Sequence, residues 1–126
     1  MIPSQFGPQA YAVMRMVFGF LFTFHGLQKL FGLFGGNVVS FPEPRFFAGV
    51  LEVIGGPLVM LGLFTQPVAF LLSGEMAVAY FMAHFPRGMV PIANGGEPAV
   101  LFCFAFLYFS TRGAGIWSLD SLRKRS

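Results

Sequence analysis

The stretch that decides the fold is residues 9–31, "QAYAVMRMVFGFLFTFHGLQKLF". A helix needs about 20 predominantly apolar residues to cross roughly 30 Å of hydrocarbon, and this stretch supplies them. It also carries three ionisable side chains: Arg15, His25 and Lys29. At 100° per residue these three fall within an arc of about 80°, with Phe22 inside it and Gly19 and Gly26 along its edge. Small residues and polar groups sharing one stripe describe a helix–helix contact face in lipid. The remaining composition agrees. With 56% hydrophobic and 10% charged residues, and 18 phenylalanines among 126 residues, a soluble domain of this size would lack the polar surface to cover its core. The chain is expected to form one integral membrane domain over residues 1–126.

Three further apolar segments follow, at about residues 46–64, 67–84 and 98–111, the last about a turn short of a full span. The expected fold is all-α: a four-transmembrane-helix bundle. Only "TQP" separates the second and third spans, so they should form a tight hairpin with Pro67 opening the third helix. The longer connections "GLFGGNVVSFPEPR" and "FPRGMVPIANGGE" then share the side opposite the termini. Arg112 and the Arg123–Arg125 run place both termini in the cytoplasm, with Tyr108 and Trp117 as interfacial anchors. A weak echo links the two halves: His25, Lys29 and Gly35-Gly36 in the first, His84, Arg87 and Gly95-Gly96 in the second.

The charge pattern excludes several classes. The net charge of +3 comes largely from the tail, so no phosphate-binding surface exists and nucleic acid is not a partner. The single cysteine, Cys103, lies in an apolar run and can form no intrachain disulfide. No short His-x-x-x-His or Glu-x-x-His spacing supports a metal, and no CxxC, nucleophile elbow, phosphate loop or haem-type Cys pair occurs. No covalently bound cofactor is expected.

The acids and imidazoles inside the spans therefore carry the functional interest. Glu52 shares its face with Gly49, Gly55, Gly56 and Gly62, and Pro57 frees the carbonyl of Val53 beside it. An ionised Glu52 facing lipid would cost several kcal/mol, so it is paired or protonated. Glu75, near mid-membrane, needs an internal partner, and Arg15 is the candidate for a structural ion pair. His84 projects roughly opposite Glu75 on an ideal helix, so one core accommodates both only if the helix bends or a second protein covers one face. Lys29 lies near a helix end, where it can also snorkel to the interface. Asn94 and Glu97 resemble a capping box for the fourth helix, with Glu97 a further candidate for the pocket mouth. The polar pocket candidates are thus His25, Lys29, Glu52, Glu75, His84, Asn94 and Glu97, with Arg45 and Arg87 in adjacent loops. They would surround a chamber open to the outer face, where imidazole and carboxylate at one level can exchange protons, as quinone chemistry requires.

In their order and spacing, "FHGLQK", the Glu-x-x-Gly-Gly of "LEVIGGP", "GEMAVAYFMAH", "NGGEPA" and the tail "GAGIWSLD" resemble the DoxX family of membrane proteins over nearly the whole chain. The resemblance implies a four-helix bundle in the bacterial cytoplasmic membrane. The family takes its name from a subunit of thiosulfate:quinone oxidoreductase, and its members are linked to membrane redox or thiol-stress complexes. It supplies no agreed catalytic residues, although the seven pocket candidates fall in its recurring motifs. Three readings follow. One is a membrane subunit of a quinone-linked oxidoreductase, not catalytic alone. Another is a scaffold or assembly subunit, and the third an outward-facing module that binds or transports a small anion. Each involves the lipid bilayer, and a homo-oligomer or other membrane or redox subunits are the expected protein partners.

Overall fold

The computed structural model describes residues 3–125. Met1, Ile2 and Ser126 lie outside the described residues, as do the side chains of Lys124 and Arg125 in the basic tail used above for orientation. All regular structure among the described residues is helical. Helix α1 covers Gly7–Phe31, α2 Pro44–Leu61 and α3 Thr65–Ala79. A π-helical turn, Tyr80–His84, and a 3₁₀ turn, Phe85–Arg87, prolong α3. The short α4 is Pro91–Asn94, α5 is Glu97–Arg112 and α6 is Leu119–Arg125. Among the described residues three stretches are long and apolar enough to cross a membrane: Ser4–Phe31, Pro44–Leu61 and Thr65–Arg87. The 16 residues of α5 reach about 24 Å, short of the hydrocarbon thickness as the sequence predicts.

Local chemistry sets the helix ends. Gly32 and Gly62 take left-handed conformations (φ 68° and 71°) and close α1 and α2, their N–H groups donating to carbonyls of the last turn. The turn into α3 is Gly62–Phe64, and the helix opens at Thr65 rather than at Pro67. Pro67 still falls in the first turn, where its missing N–H is not needed. The N–H groups of Phe64 and Thr65 donate to the Asp120 carboxylate at 2.9 Å each. The start of α6 therefore caps α3 from a distant point in the chain.

The helices pack chiefly as two pairs, α1 with α2 and α3 with α5. In the first pair the backbones touch. A Cβ on Gly19 would lie 2.5 Å from the Met60 nitrogen and 2.6 Å from the Gly56 oxygen, and one on Gly26 would lie 2.7 Å from the Val53 nitrogen. Glycine is required at these crossings because any side chain would separate the helices. The core between the pairs is built from Phe22, Leu72, Met76, Phe102, Phe106 and Phe109. Outward-facing Phe20, Leu21, Ile54, Phe70, Leu101 and Phe104 are exposed, forming an apolar belt suited to lipid.

Arg15 corrects the sequence-based expectation of an ion pair with Glu75. It is fully buried, and its guanidinium donates to main-chain carbonyls alone: Val59 at 3.1 Å, Met60 at 3.4 Å, Ile116 at 3.2 Å, Trp117 at 2.8 Å and Ala114. Val59 and Met60 stand at the end of α2, and the segment after α5 folds back beneath the bundle to present the other three acceptors, an arrangement no side-chain pattern announces. Arg15 thereby pins the chain end to α1 and α2. Glu75 belongs to the other half of the bundle.

Candidate functional site

Close approach of α1 and α2 at Gly26 brings Lys29 against Glu52. Lys29 Nζ donates to Glu52 Oε1 at 2.7 Å, with 19% of the lysine side chain exposed and none of the glutamate's. The second glutamate oxygen, Oε2, has no hydrogen-bond partner. Across from it on α3, both oxygens of Glu75 are buried with no donor in reach, and the facing Glu52 carboxyl bonds to Glu75 only by sharing a proton, with Lys29 the nearby positive charge. One ammonium thus serves two carboxyl groups. Charge counting leaves one negative charge or one proton to be accommodated between Glu52 and Glu75.

These groups face a cavity of about 830 Å³, within the usual range for small-molecule sites. His25, Lys29, Glu52, Glu75 and His84 all line it, with Arg45 and Arg87 at its rim and Gln28 between His25 and Lys29. Phe22 and Phe102 form an apolar wall, and the His25 ring packs edge-on against Phe102 with centroids 5.6 Å apart. The two arms of the sequence echo meet here, since His25, Lys29 and Gly36 share the lining with His84, Arg87 and Gly95.

The conflict on the third helix is resolved by a change of helix type. On an ideal α-helix Glu75 and His84 oppose each other. In the π turn the Phe85 N–H donates to the carbonyl of Tyr80, five residues back, so each residue advances by less than 100°. His84 is thereby swung onto the cavity side without a partner protein. Its Nδ1 lies 3.3 Å from the Asn94 carbonyl oxygen, within hydrogen-bond reach.

Two of the sequence candidates stand elsewhere. Asn94 is buried, but it does not line the cavity. Its amide nitrogen donates to Tyr80 Oη at 3.2 Å and to the Gly88 carbonyl at 2.9 Å, and its Oδ1 accepts the Gly96 N–H at 2.8 Å. It ties the end of α3 to the loop before α5. The expected capping box does not form, because the N-cap of α5 is Gly96, with no side-chain cap bond. Glu97 is exposed in the first turn of α5, where a carboxylate suits the helix dipole, and lies outside the cavity lining. Gln28 was missed, although it lies three residues from His25 on the same helix face. Among the described residues no three His, Cys, Asp or Glu side chains converge as a metal would require.

Comparison with known proteins places this geometry. The family model described as DoxX matches residues 10–85, which hold most of the cavity. A protein of Haemophilus influenzae described only as uncharacterised is 42% identical over 125 residues, covering 94% of this chain and 93% of that protein. A membrane protein of Mycobacterium tuberculosis, likewise described as uncharacterised, is 28% identical over 141 residues, covering 95% of this chain and 85% of the relative. No solved structure matches the chain significantly.

Proposed function

The chain belongs to the DoxX family of membrane proteins, and from that premise we propose that it is a membrane subunit of a quinone-linked or thiol-associated oxidoreductase complex. In this reading four helices cross the bacterial inner membrane with both termini in the cytoplasm. The cavity then opens toward the outer face, and the electrons come from a partner dehydrogenase subunit. The observation that carries the reading is the facing pair of buried carboxyl groups, Glu52 and Glu75, with no donor on Glu52 Oε2 or on Glu75, beside His25 and an aromatic wall.

The chemistry assigned to these residues is proton handling. Reducing a quinone to its quinol takes two electrons from the partner subunit and two protons, one for each carbonyl oxygen. Phe22 and Phe102, packed on each other with centroids 5.1 Å apart, form the wall that borders the flat ring. Lys29 fixes the Glu52 carboxylate and places positive charge where the ring oxygens gain electron density. Glu75 hands over one proton, and His25 relays the other, releasing it from one ring nitrogen as it accepts a proton at the other from water entering at the His84 rim.

Titration of the purified protein in lipid nanodiscs with a membrane quinone tests the reading. Saturable binding that falls about tenfold in Glu75→Leu is expected. Absence of binding overturns it. Isolation from the native membrane with its partners intact should yield a dehydrogenase subunit. A second reading, capture of a small anion, is favoured by Lys29, Arg45 and Arg87 sharing one lining. Its signature is anion flux into liposomes that Glu52→Gln abolishes.

A further inference from the structure

The cavity has a side facing the hydrocarbon. Near their connecting turn α2 and α3 touch, with a Cβ on Gly55 falling 2.8 Å from a Leu72 methyl. Beyond that level, away from the turn, the cavity lies between the two helices. Leu51 on α2 and Leu71, Gly74 and Val78 on α3 line it there. Three of these side chains are both cavity lining and outer surface: Leu51 is 39% exposed, Leu71 59% and Val78 56%. Gly74 marks the middle of the gap, since a Cβ there would meet nothing within 4 Å. Its position 13 residues before Arg87, about 20 Å along the helix, puts the gap well inside the bilayer.

We propose that this gap is a lateral portal, through which a ligand with a polar ring and a long apolar tail enters from the membrane and leaves its tail between α2 and α3. The inner end of the cavity suits the ring, because Glu52 is fully buried there with Oε2 unpartnered and Glu75 stands opposite. The side facing the hydrocarbon suits only a tail, because its walls are leucine, valine and a bare glycine. A second copy of the chain fits less well, because a helix laid on the gap would leave the carboxyl groups behind it unsatisfied. The proposal rests on the quinone reading and adds the route: the quinone reaches the carboxyl groups sideways from lipid through the α2–α3 gap, and its tail stays in that gap.

Native mass spectrometry of the full chain released from nanodiscs tests it, with two probes: a benzoquinone bearing a long isoprenoid tail and the same ring without one. The wild type should bind the tailed form at least tenfold more tightly. Gly74→Trp places a ring in the open gap and should cost the tailed form about tenfold while leaving the tailless form unchanged. Val78→Trp, one turn along, should act alike if Gly74→Trp folds poorly. Equal binding of both probes, with neither tryptophan having an effect, overturns the portal and leaves the quinone reading standing. Binding of neither probe overturns the quinone reading and the portal with it. Efficient disulfide dimers of Leu71→Cys in a Cys103→Ser background would show a second copy in the gap and overturn the proposal.

Discussion

Lys29 and Glu52 differ in how each survives alone. Glu52 is completely buried, whereas Lys29 keeps 19% of its side chain exposed on a flexible stem. Lys29→Met strands a buried acid next to Glu75 and is expected to destabilise by about 3 kcal/mol. Glu52→Gln leaves an ammonium that can turn toward water, and should cost about 1–2 kcal/mol. The double variant should lose less than the sum, with a coupling of about 1–3 kcal/mol. Thermal unfolding in detergent measures all four corners, and strict additivity would show that the pair contributes nothing. Arg15 poses a different problem, since its acceptors are main-chain carbonyls that remain whatever side chain replaces it. Lysine presents one donor head to acceptors spread around a planar fork, so at least two bonds are lost. Arg15→Lys should therefore cost about 3 kcal/mol. Limited proteolysis should find the segment around residues 113–118 newly cleavable, and an unchanged digest would show that Arg15 does not hold it.

Between helices, two glycines make opposite predictions. Gly56 lies in the α1–α2 crossing, where a Cβ would strike Thr23 and come 3.0 Å from the Gly19 oxygen. Gly56→Ala should part the helices, loosen the Lys29–Glu52 contact and cost about 2 kcal/mol. Gly74 has open space instead, so Gly74→Ala should be neutral or stabilise by up to ~1 kcal/mol through reduced chain entropy. Equal effects of the two substitutions on melting temperature would contradict the packing described. The cap on α3 gives a pH signature. Burial raises the Asp120 pKa, but the N–H groups of Thr65 and Phe64, with Arg123 beside them, outweigh it and hold the carboxyl below the usual aspartate range. A depressed native pKa adds stability above the unfolded value, near 3.9, and that stability is lost as pH falls through the lower native value. Asp120→Asn should thus cost about 1 kcal/mol at neutral pH. The gap to wild type should close in acid, and a constant gap down to pH ~3 would rule out the carboxylate as the cap.

Across the whole molecule, what the sequence disclosed was whatever rests on periodicity. The apolar spans, the glycine faces of α1 and α2, and the convergence of His25, Lys29 and Glu52 all follow from 100° per residue and the cost of burying charge in lipid. Two features escaped because they depend on backbone geometry. Three of the carbonyls that hold Arg15 belong to a returning loop, and the π turn that redirects His84 has no side-chain signature in "YFMAH". Topology is the level at which sequence and fold must still agree. With α5 crossing, the chain makes an even number of passes and both termini share a side, although α5 spans only 16 residues. Arg112 at its end and Arg123, Lys124 and Arg125 after it outnumber Arg45 at the start of α2 and Arg87 at the end of the third span, which favours cytoplasmic termini. Alkaline phosphatase fused after Asn37 or Val90 should therefore be active, and a fluorescent protein fused at the C-terminus should fold in the cytoplasm and glow. An active phosphatase at the C-terminus with an inactive one at the N-terminus would mean three crossings. In that case α5 would lie within the outer leaflet, and the cavity it helps to wall would lose its far side.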